Sequence, residues 1–158
     1  MSVVIEQISP FHPKARALLA SAREASDGLY PPTSQHGLDS TEAAEGVMLV
    51  AWLDHEPVGC GVIRPLEDGI GEIKRMYVSP SCRRQGVARK ILAALEALAP
   101  KLGFQNIRLE TGTLQPEAIA LYKRAGYARI EPFGEYVDDP LSICFEKWLD
   151  GKVKQPAS

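Results

Sequence analysis

The residues with the clearest capacity for chemistry lie between Gly71 and Leu95. A strand-like run, Glu72-Ile73-Lys74-Arg75-Met76-Tyr77-Val78, reaches Ser79-Pro80 and then Arg83-Arg84-Gln85-Gly86-Val87-Ala88, which opens an amphipathic helix. The first turn of a helix carries backbone N–H groups without partners inside the helix, and the aligned peptide dipoles add partial positive charge there. Gly86 lets the main chain come close to an anion, Ala88 keeps the next turn thin, and Arg83, Arg84 and Arg89 supply fixed positive charge. The segment reads as a diphosphate-binding loop. Cys82 lies inside it, where helix dipole and arginines could lower a thiol pKa, but it reads first as an incidental small residue.

Two common phosphate loops are excluded by spacing. No Gly-Lys-Ser/Thr follows Gly86, and no Gly-x-Gly-x-x-Gly opens an N-terminal βαβ unit. With 18 basic and 20 acidic residues in 158, the formal charge is only −2, which argues against a broad polyanion-binding surface and hence against nucleic acid as partner. The basic residues instead gather near the loop: Lys74, Arg75, Arg83, Arg84, Arg89 and Lys90. Three widely spaced cysteines, Cys60, Cys82 and Cys144, with no Cys-x-x-Cys pair, suggest neither a disulfide framework nor a zinc site. No stretch approaches membrane-spanning length and the start lacks a leader pattern, so a cytoplasmic protein with no membrane partner is expected.

The elements that must position the loop follow from periodicity and punctuation. Val3 to Ile8 reads as a strand, and Pro13 to Ala25 as a helix closed by Ser26-Asp27-Gly28. Tyr30-Pro31-Pro32 through Gly37 reads as an exposed loop, followed by one or two helical turns within residues 39–45. Val47 to Leu53 and Val58 to Ile63 form a hairpin with the four-residue connection Asp54-His55-Glu56-Pro57, and a turn at Gly69 leads into the Glu72 strand, giving an antiparallel meander. The helix after the loop aligns Val87, Ile91, Leu95, Leu98 and Leu102 on a core stripe and ends at Gly103. Asn106 to Thr111 is then a strand parallel to the Glu72 strand, reached by a right-handed crossover. Pro116 starts a helix with Ala118, Leu121, Tyr122 and Ala125 on one face, stopped by Gly126, before the strands Ala128 to Ile130 and Ser142 to Lys147. Residues 1–150 read as one domain and 151–158 as a polar tail; His12, His36 and His55 read as surface histidines.

Arg83-x-x-Gly86-x-Ala88, Leu109-Glu110-Thr111, Ala118-Ile119-Ala120-Leu121-Tyr122 and Ala125-Gly126-Tyr127 occur in an order and spacing that resemble the GNAT acyltransferase superfamily, over roughly residues 45 to 147. The resemblance implies an α/β (α+β) fold: a mixed, mostly antiparallel twisted sheet of six to seven strands, helices on both faces, splayed at a central parallel pair. It implies transfer of acetyl from acetyl-coenzyme A to a primary amine by direct attack on the thioester, with no metal. Main-chain groups of Met76, Tyr77 and Val78 would face the pantetheine arm, and Arg83, Arg84, Gln85, Gly86, Val87, Ala88 and Arg89 would wrap the pyrophosphate.

An alkyl amine with a pKa near 10.4 is unprotonated in only about one molecule in a thousand at pH 7, so a general base is needed, directly or through water. Glu72, fourteen residues before Gly86, matches the strand glutamate that serves as base in several members; it also reads as a solvated glutamate paired with Lys74, and Glu110 is the reserve. Tyr122 matches the family's helix tyrosine that protonates the departing thiolate, or it simply packs. Where many members carry Asn, this chain has Gln115-Pro116, which puts that contact with the coenzyme A arm in doubt. The acceptor pocket of this fold would be lined by Tyr30, Phe133 and Tyr136, with Glu135, Asp138 and Asp139 beside them, suiting a small cationic amine. The same residues also suit ordinary exposed turns. The acceptor classes left open are a small-molecule amine and a protein N-terminal or lysine amine; a non-catalytic acyl-coenzyme A sensor is the rival outside catalysis. Homodimers are common in the superfamily, but no segment here marks an interface.

Overall fold

A computed structural model of the chain describes residues 2–38 and 40–149; the polar tail, 151–158, lies outside the described residues. Seven strands form one sheet: β1 (Val4–Ile8), β2 (Val47–Leu53), β3 (Glu56–Glu67), β4 (Ile70–Val78), β5 (Asn106–Gly112), β6 (Ala128–Ile130) and β7 (Ser142–Trp148). Their order is β1-β2-β3-β4-β5-β7-β6, and every neighbouring pair is antiparallel except β4 and β5. Among the described residues four α-helices accompany the sheet: α1 (Pro13–Asp27), α2 (Ser40–Glu45), α3 (Val87–Leu98) and α4 (Pro116–Arg124). Among the described residues no helix is long and apolar enough to cross a membrane.

Two apolar layers account for the architecture. Val87, Ile91, Leu92 and Leu95 of α3 pack with Leu49, Ile63, Ile73, Ile107, Leu109 and Phe145 of the strands and with Tyr122 of α4. On the opposite face Ala15 and Leu18 of α1 pack with Met48, Val50, Cys60 and Val62. Alternation along β2 and β3 therefore feeds both faces, as a central strand covered on each side requires. Each fully buried Leu or Ile contributes on the order of 2 kcal/mol of transfer free energy.

Three local expectations are corrected. The β2–β3 hairpin turns in two residues rather than four: Asp54 and His55 both have left-handed backbones (φ 50° and 68°), the arrangement that matches the twist of the flanking strands. Leu102 is not core but 39% exposed, because Pro100 ends the α-helical hydrogen bonding and the chain finishes in a 3-10 turn, Ala99–Leu102. His36 is not a surface residue, its side chain being only 13% exposed among three acidic and aromatic neighbours.

Two features of the sheet shape a cleft. Parallel pairing of β4 with β5 runs only from Ile70–Asn106 to Ile73–Leu109, although β4 continues to Val78 and β5 to Gly112, so the strands part beyond that point. A β-bulge sits where they part: Cys60 opposes Tyr77 and Val62 opposes Lys74, leaving Arg75 and Met76 against Gly61 alone. Arg75 takes a positive φ of 57° there, a conformation costing a non-glycine residue about 1–2 kcal/mol. Gly61 has no room for a side chain, since a Cβ would stand 2.7 Å from Met76 Sδ.

Candidate active site

The loop predicted to hold a diphosphate is delivered by β4, a 3-10 turn at Pro80–Cys82 and the start of α3. Gly86 is the N-cap of α3 with φ 81°, and no side chain caps it. Lys90 N–H is the donor to Gly86 C=O that begins the helical ladder, so the amides of the preceding turn point outward from the helix end. Arg84 is also left-handed (φ 63°) and its guanidinium pairs with Glu117 at the start of α4, 3.3 Å away, both well exposed. Arg89 folds over its own helix start: a Cβ at Gly86 would meet Arg89 Nη2 at 3.5 Å. Arg83 turns the other way, donating from Nε to the Val78 carbonyl at 3.0 Å and lying over the Tyr77 ring at 5.8 Å, which ties the end of β4 to the loop. Uncapped amides, left-handed backbone and two arginine side chains at one helix start are a donor set that fits a diphosphate. Met76, Tyr77 and Val78 belong to the part of β4 that runs on beyond its pairing with β5. Gln85, Val87 and Ala88 complete the loop, with Val87 buried in the core and Gln85 exposed. Cys82 is buried in the same core layer, which is a packing role.

The opposite wall of the cleft is made from side chains. Glu72 is buried at 3% exposure, with Arg64 Nη1 donating to Oε1 at 3.0 Å and the Tyr136 hydroxyl donating to Oε2 at 2.8 Å. Both oxygens are thus occupied. Lys74 lies on the same face, but its ammonium reaches the Gly37 carbonyl and Glu42 at 3.0 Å each rather than Glu72. Arg64 also reaches Glu42 (3.3 Å), so α2 is fastened to β3 and β4. Tyr136 is 3% exposed and its phenol pKa is pushed up by burial and then by the Glu72 charge. Phe133 stands edge-on to Tyr136 at 5.3 Å, with the Arg108 guanidinium over its ring at 5.9 Å.

Beside this network lies a cavity of about 30 Å³, lined by Tyr30, Ser34, His36, Glu110, Gln115 and Asp139 among others. That is the room of roughly one water molecule. His36 Nε2 lies 2.7 Å from Asp139 Oδ2, and its Nδ1 lies 3.5 Å from Glu135. Burial works to raise the Asp139 pKa, but hydrogen bonds from His36, the Leu141 amide and the Ser34 hydroxyl outweigh it and hold the carboxyl below its usual value. Glu110 accepts the Ser142 hydroxyl at Oε2 (2.6 Å); burial nevertheless pushes its pKa up, with Ser142 and His36 opposing and Asp139 and Glu135 adding to the rise.

Tyr30 closes the cavity. Its hydroxyl donates to Gln115 Oε1 at 3.3 Å and accepts from Leu114 N–H at 3.1 Å. Gly112 is glycine because a Cβ there would fall on the Tyr30 hydroxyl. Gln115 Oε1 also accepts from Gly112 N–H (3.3 Å), so its side chain turns back onto the end of β5. Tyr122 is 5% exposed on α4, against Tyr127 (5.8 Å) and Phe145 (6.3 Å). Burial and then the charge of Glu110 push its pKa well above the ordinary phenol value, so it holds its proton throughout the neutral range.

The structure therefore brings Glu72, Tyr136, Phe133 and Tyr30 into one wall, and gathers residues 83–89 at the α3 start. Sequence reading missed Arg64 and the pairing of His36 with Asp139, although Asp139 itself was expected beside the acceptor aromatics. Arg64 had a signal, since it sits directly opposite Glu72 across the hairpin centred on Asp68-Gly69. The His36–Asp139 pairing had none, the two being 103 residues apart on two irregular loops. Among the described residues no group of three His, Cys, Asp or Glu is arranged to hold a metal.

Comparison with known proteins gives this geometry its setting. The Acetyltransferase (GNAT) family matches residues 13–127. A protein of Azospirillum brasilense called IAA acetyltransferase is 38% identical over 151 residues, covering 94% of this chain and 99% of that one. The uncharacterised N-acetyltransferase YsnE of Bacillus subtilis (strain 168) is 37% identical over 123 residues, 75% of this chain and 82% of its own. A Klebsiella pneumoniae crystal structure provisionally described as an acyl-CoA N-acyltransferase superposes with a TM-score of 0.79 at 38% identity, covering 93% of this chain and 97% of that one. The PaiA N-acetyltransferase of Thermoplasma acidophilum, solved with coenzyme A, shares the fold at a TM-score of 0.73 and 19% identity, over 94% and 99% of the two chains. The uncapped loop at Gly86, the parted strands and these relatives agree: the chain belongs to the GNAT family of acetyltransferases and is an acyltransferase.

Proposed function

We propose that the enzyme moves an acetyl group from acetyl-coenzyme A to the primary amine of a small molecule. The observation that carries this reading is the pairing of an uncapped, arginine-flanked helix start with a small, enclosed polar cavity beside the parted strands. When bound, the carrier supplies an activated acetyl thioester. Residues 84–89 would hold its pyrophosphate through main-chain N–H groups, and Met76 to Val78 would position its arm.

The amine must lose a proton before it attacks. Of the two carboxylates, Glu110 is favoured: it lines the cavity, its second oxygen is not taken by Ser142, and burial raises its pKa so that it is a stronger base near neutral pH. Glu72, with both oxygens engaged, would accept a proton only by displacing Arg64 or Tyr136, and otherwise positions them. Tyr122, held protonated, would supply the proton that the departing thiolate needs. The cavity's carboxylates suit a cationic end group. Leu29, Leu114 and Val137, exposed neighbours of Tyr30 and Tyr136 in chain or hydrogen bonding, suit an apolar flank.

Thiol release from acetyl-coenzyme A, measured with a panel of polyamines, amino acids and peptides, tests the reading. Steady release with at least one small amine is expected. Release with peptide or protein amines alone, or tight acetyl-coenzyme A binding with no release on any acceptor, would overturn it.

A further inference from the structure

The bulge in β4 presents one cation that the network of the acceptor wall does not use. In a regular strand Lys74 and Arg75 would point to opposite faces. Here the left-handed backbone of Arg75 turns its side chain to the face that Lys74 occupies. Lys74 Nζ donates to the Gly37 carbonyl, and Arg75 Nη2 approaches the His36 carbonyl at 3.5 Å and the place of a Gly37 Cβ at 3.3 Å. Met76 resumes the opposite face, with its sulfur against Gly61 and α3.

The two cations differ in their partners. Lys74 is neutralised by Glu42 at 3.0 Å and Glu135 at 3.7 Å, and Arg64 by Glu42 and Glu72. No carboxylate among the described residues lies within ion-pair distance of the Arg75 guanidinium, and its single hydrogen bond is long. Burial disfavours its charged form, with the more distant Asp27 partly compensating. A guanidinium has five donors in a planar fork suited to a carboxylate, and this one approaches the carbonyl of His36, a residue that lines the cavity.

We propose that Arg75 is the specificity residue of the acceptor site, binding a carboxylate on the acceptor, so that the substrate class is an amine that also carries a carboxylate. This rests on the small-amine reading above and narrows it. The bulge aims the guanidinium, the acidic cavity takes the amine end, and the neutralised Lys74 and Arg64 do not compete for the anion.

Binding of N-acetyl amino acids and their primary amides, titrated by NMR into coenzyme A-saturated protein, tests the anchor without requiring turnover. The acids are expected to bind about tenfold tighter than the matched amides. Arg75→Gln should abolish that difference by weakening the acids alone, and Arg75→Lys should restore part of it. Absence of acid binding in the unsubstituted protein, equal affinity for acids and amides, or an Arg75→Gln variant that weakens both alike would overturn the proposal; the last outcome would mark Arg75 as a support of the 36–37 loop. A protein that prefers the acids yet releases no thiol with any amine would sink the acetyl-transfer reading and leave the anchor standing.

Discussion

The start of α3 and the wall built by residues 30–37 and 133–139 stand on either side of one cleft, and they are made from different materials. At Gly86 the groups on offer are main-chain amides, so the proposed diphosphate site depends on backbone geometry: a left-handed residue, an uncapped helix and slim neighbours. At the proposed acceptor wall the polar groups are side chains, chained from Arg64 through Glu72 to Tyr136 and from Ser34 through Asp139 to His36. A backbone site tolerates most side-chain changes and fails at one residue. A side-chain network spreads its dependence over many residues and leaves the choice of ligand to whichever group lacks a partner.

Substitutions on the two sides should separate these behaviours. Gly86→Glu should produce the largest loss, since it places a side chain at φ 81° and a negative charge where an anion is expected to bind. Coenzyme A affinity by calorimetry is expected to fall by at least about a hundredfold with the circular dichroism spectrum intact; unchanged affinity would break the comparison at its root. Tyr122→Phe should lower kcat by about a hundredfold while leaving coenzyme A affinity as it was. Full turnover in that variant would return Tyr122 to a packing role with Tyr127 and Phe145.

Gly112→Ala should destabilise the fold by about 1–3 kcal/mol in a denaturant or thermal melt, because the new methyl occupies the Tyr30 hydroxyl position. An unchanged melt would show that Tyr30 is held loosely. Glu110→Gln gives the smallest effect on stability and the most diagnostic one on rate. A carboxyl whose pKa is raised by folding carries a penalty that is absent below its unfolded value of about 4.3 and fully present above its folded value. The variant should therefore melt slightly higher than the parent at pH 8 and lose that advantage at pH 4, while kcat/KM falls by about a hundredfold and its acid limb disappears. Persistence of that limb would point to Glu72 instead.

How much of this was legible in the sequence follows from the same division. Gly86 was readable because a left-handed N-cap, an arginine-rich loop and a preceding strand are local facts, written within a few residues. The parallel β4–β5 pair and the seven-stranded sheet were readable because α3 carries a stripe that must be buried. Leu102 misled because the stripe continues past Pro100, and the ring decides against it. The acceptor wall was only half readable. Tyr30, Phe133 and Tyr136 stand out as aromatics in turns, but the partner of each polar group depends on how two irregular loops meet, which no periodicity encodes. His36 illustrates this: alone it is an unremarked histidine, and only the fold sets it beside Asp139 and carries its carbonyl to Arg75.

The contact between Gly112 and Tyr30 also constrains how such an enzyme can be altered. The ring fills the volume that any larger residue at the end of β5 would need, so what position 112 accepts depends on the residue at 30. A library that widens the cavity by trimming Tyr30 first would open position 112 to alanine or serine, whereas one that begins at 112 would recover glycine as the most stable choice.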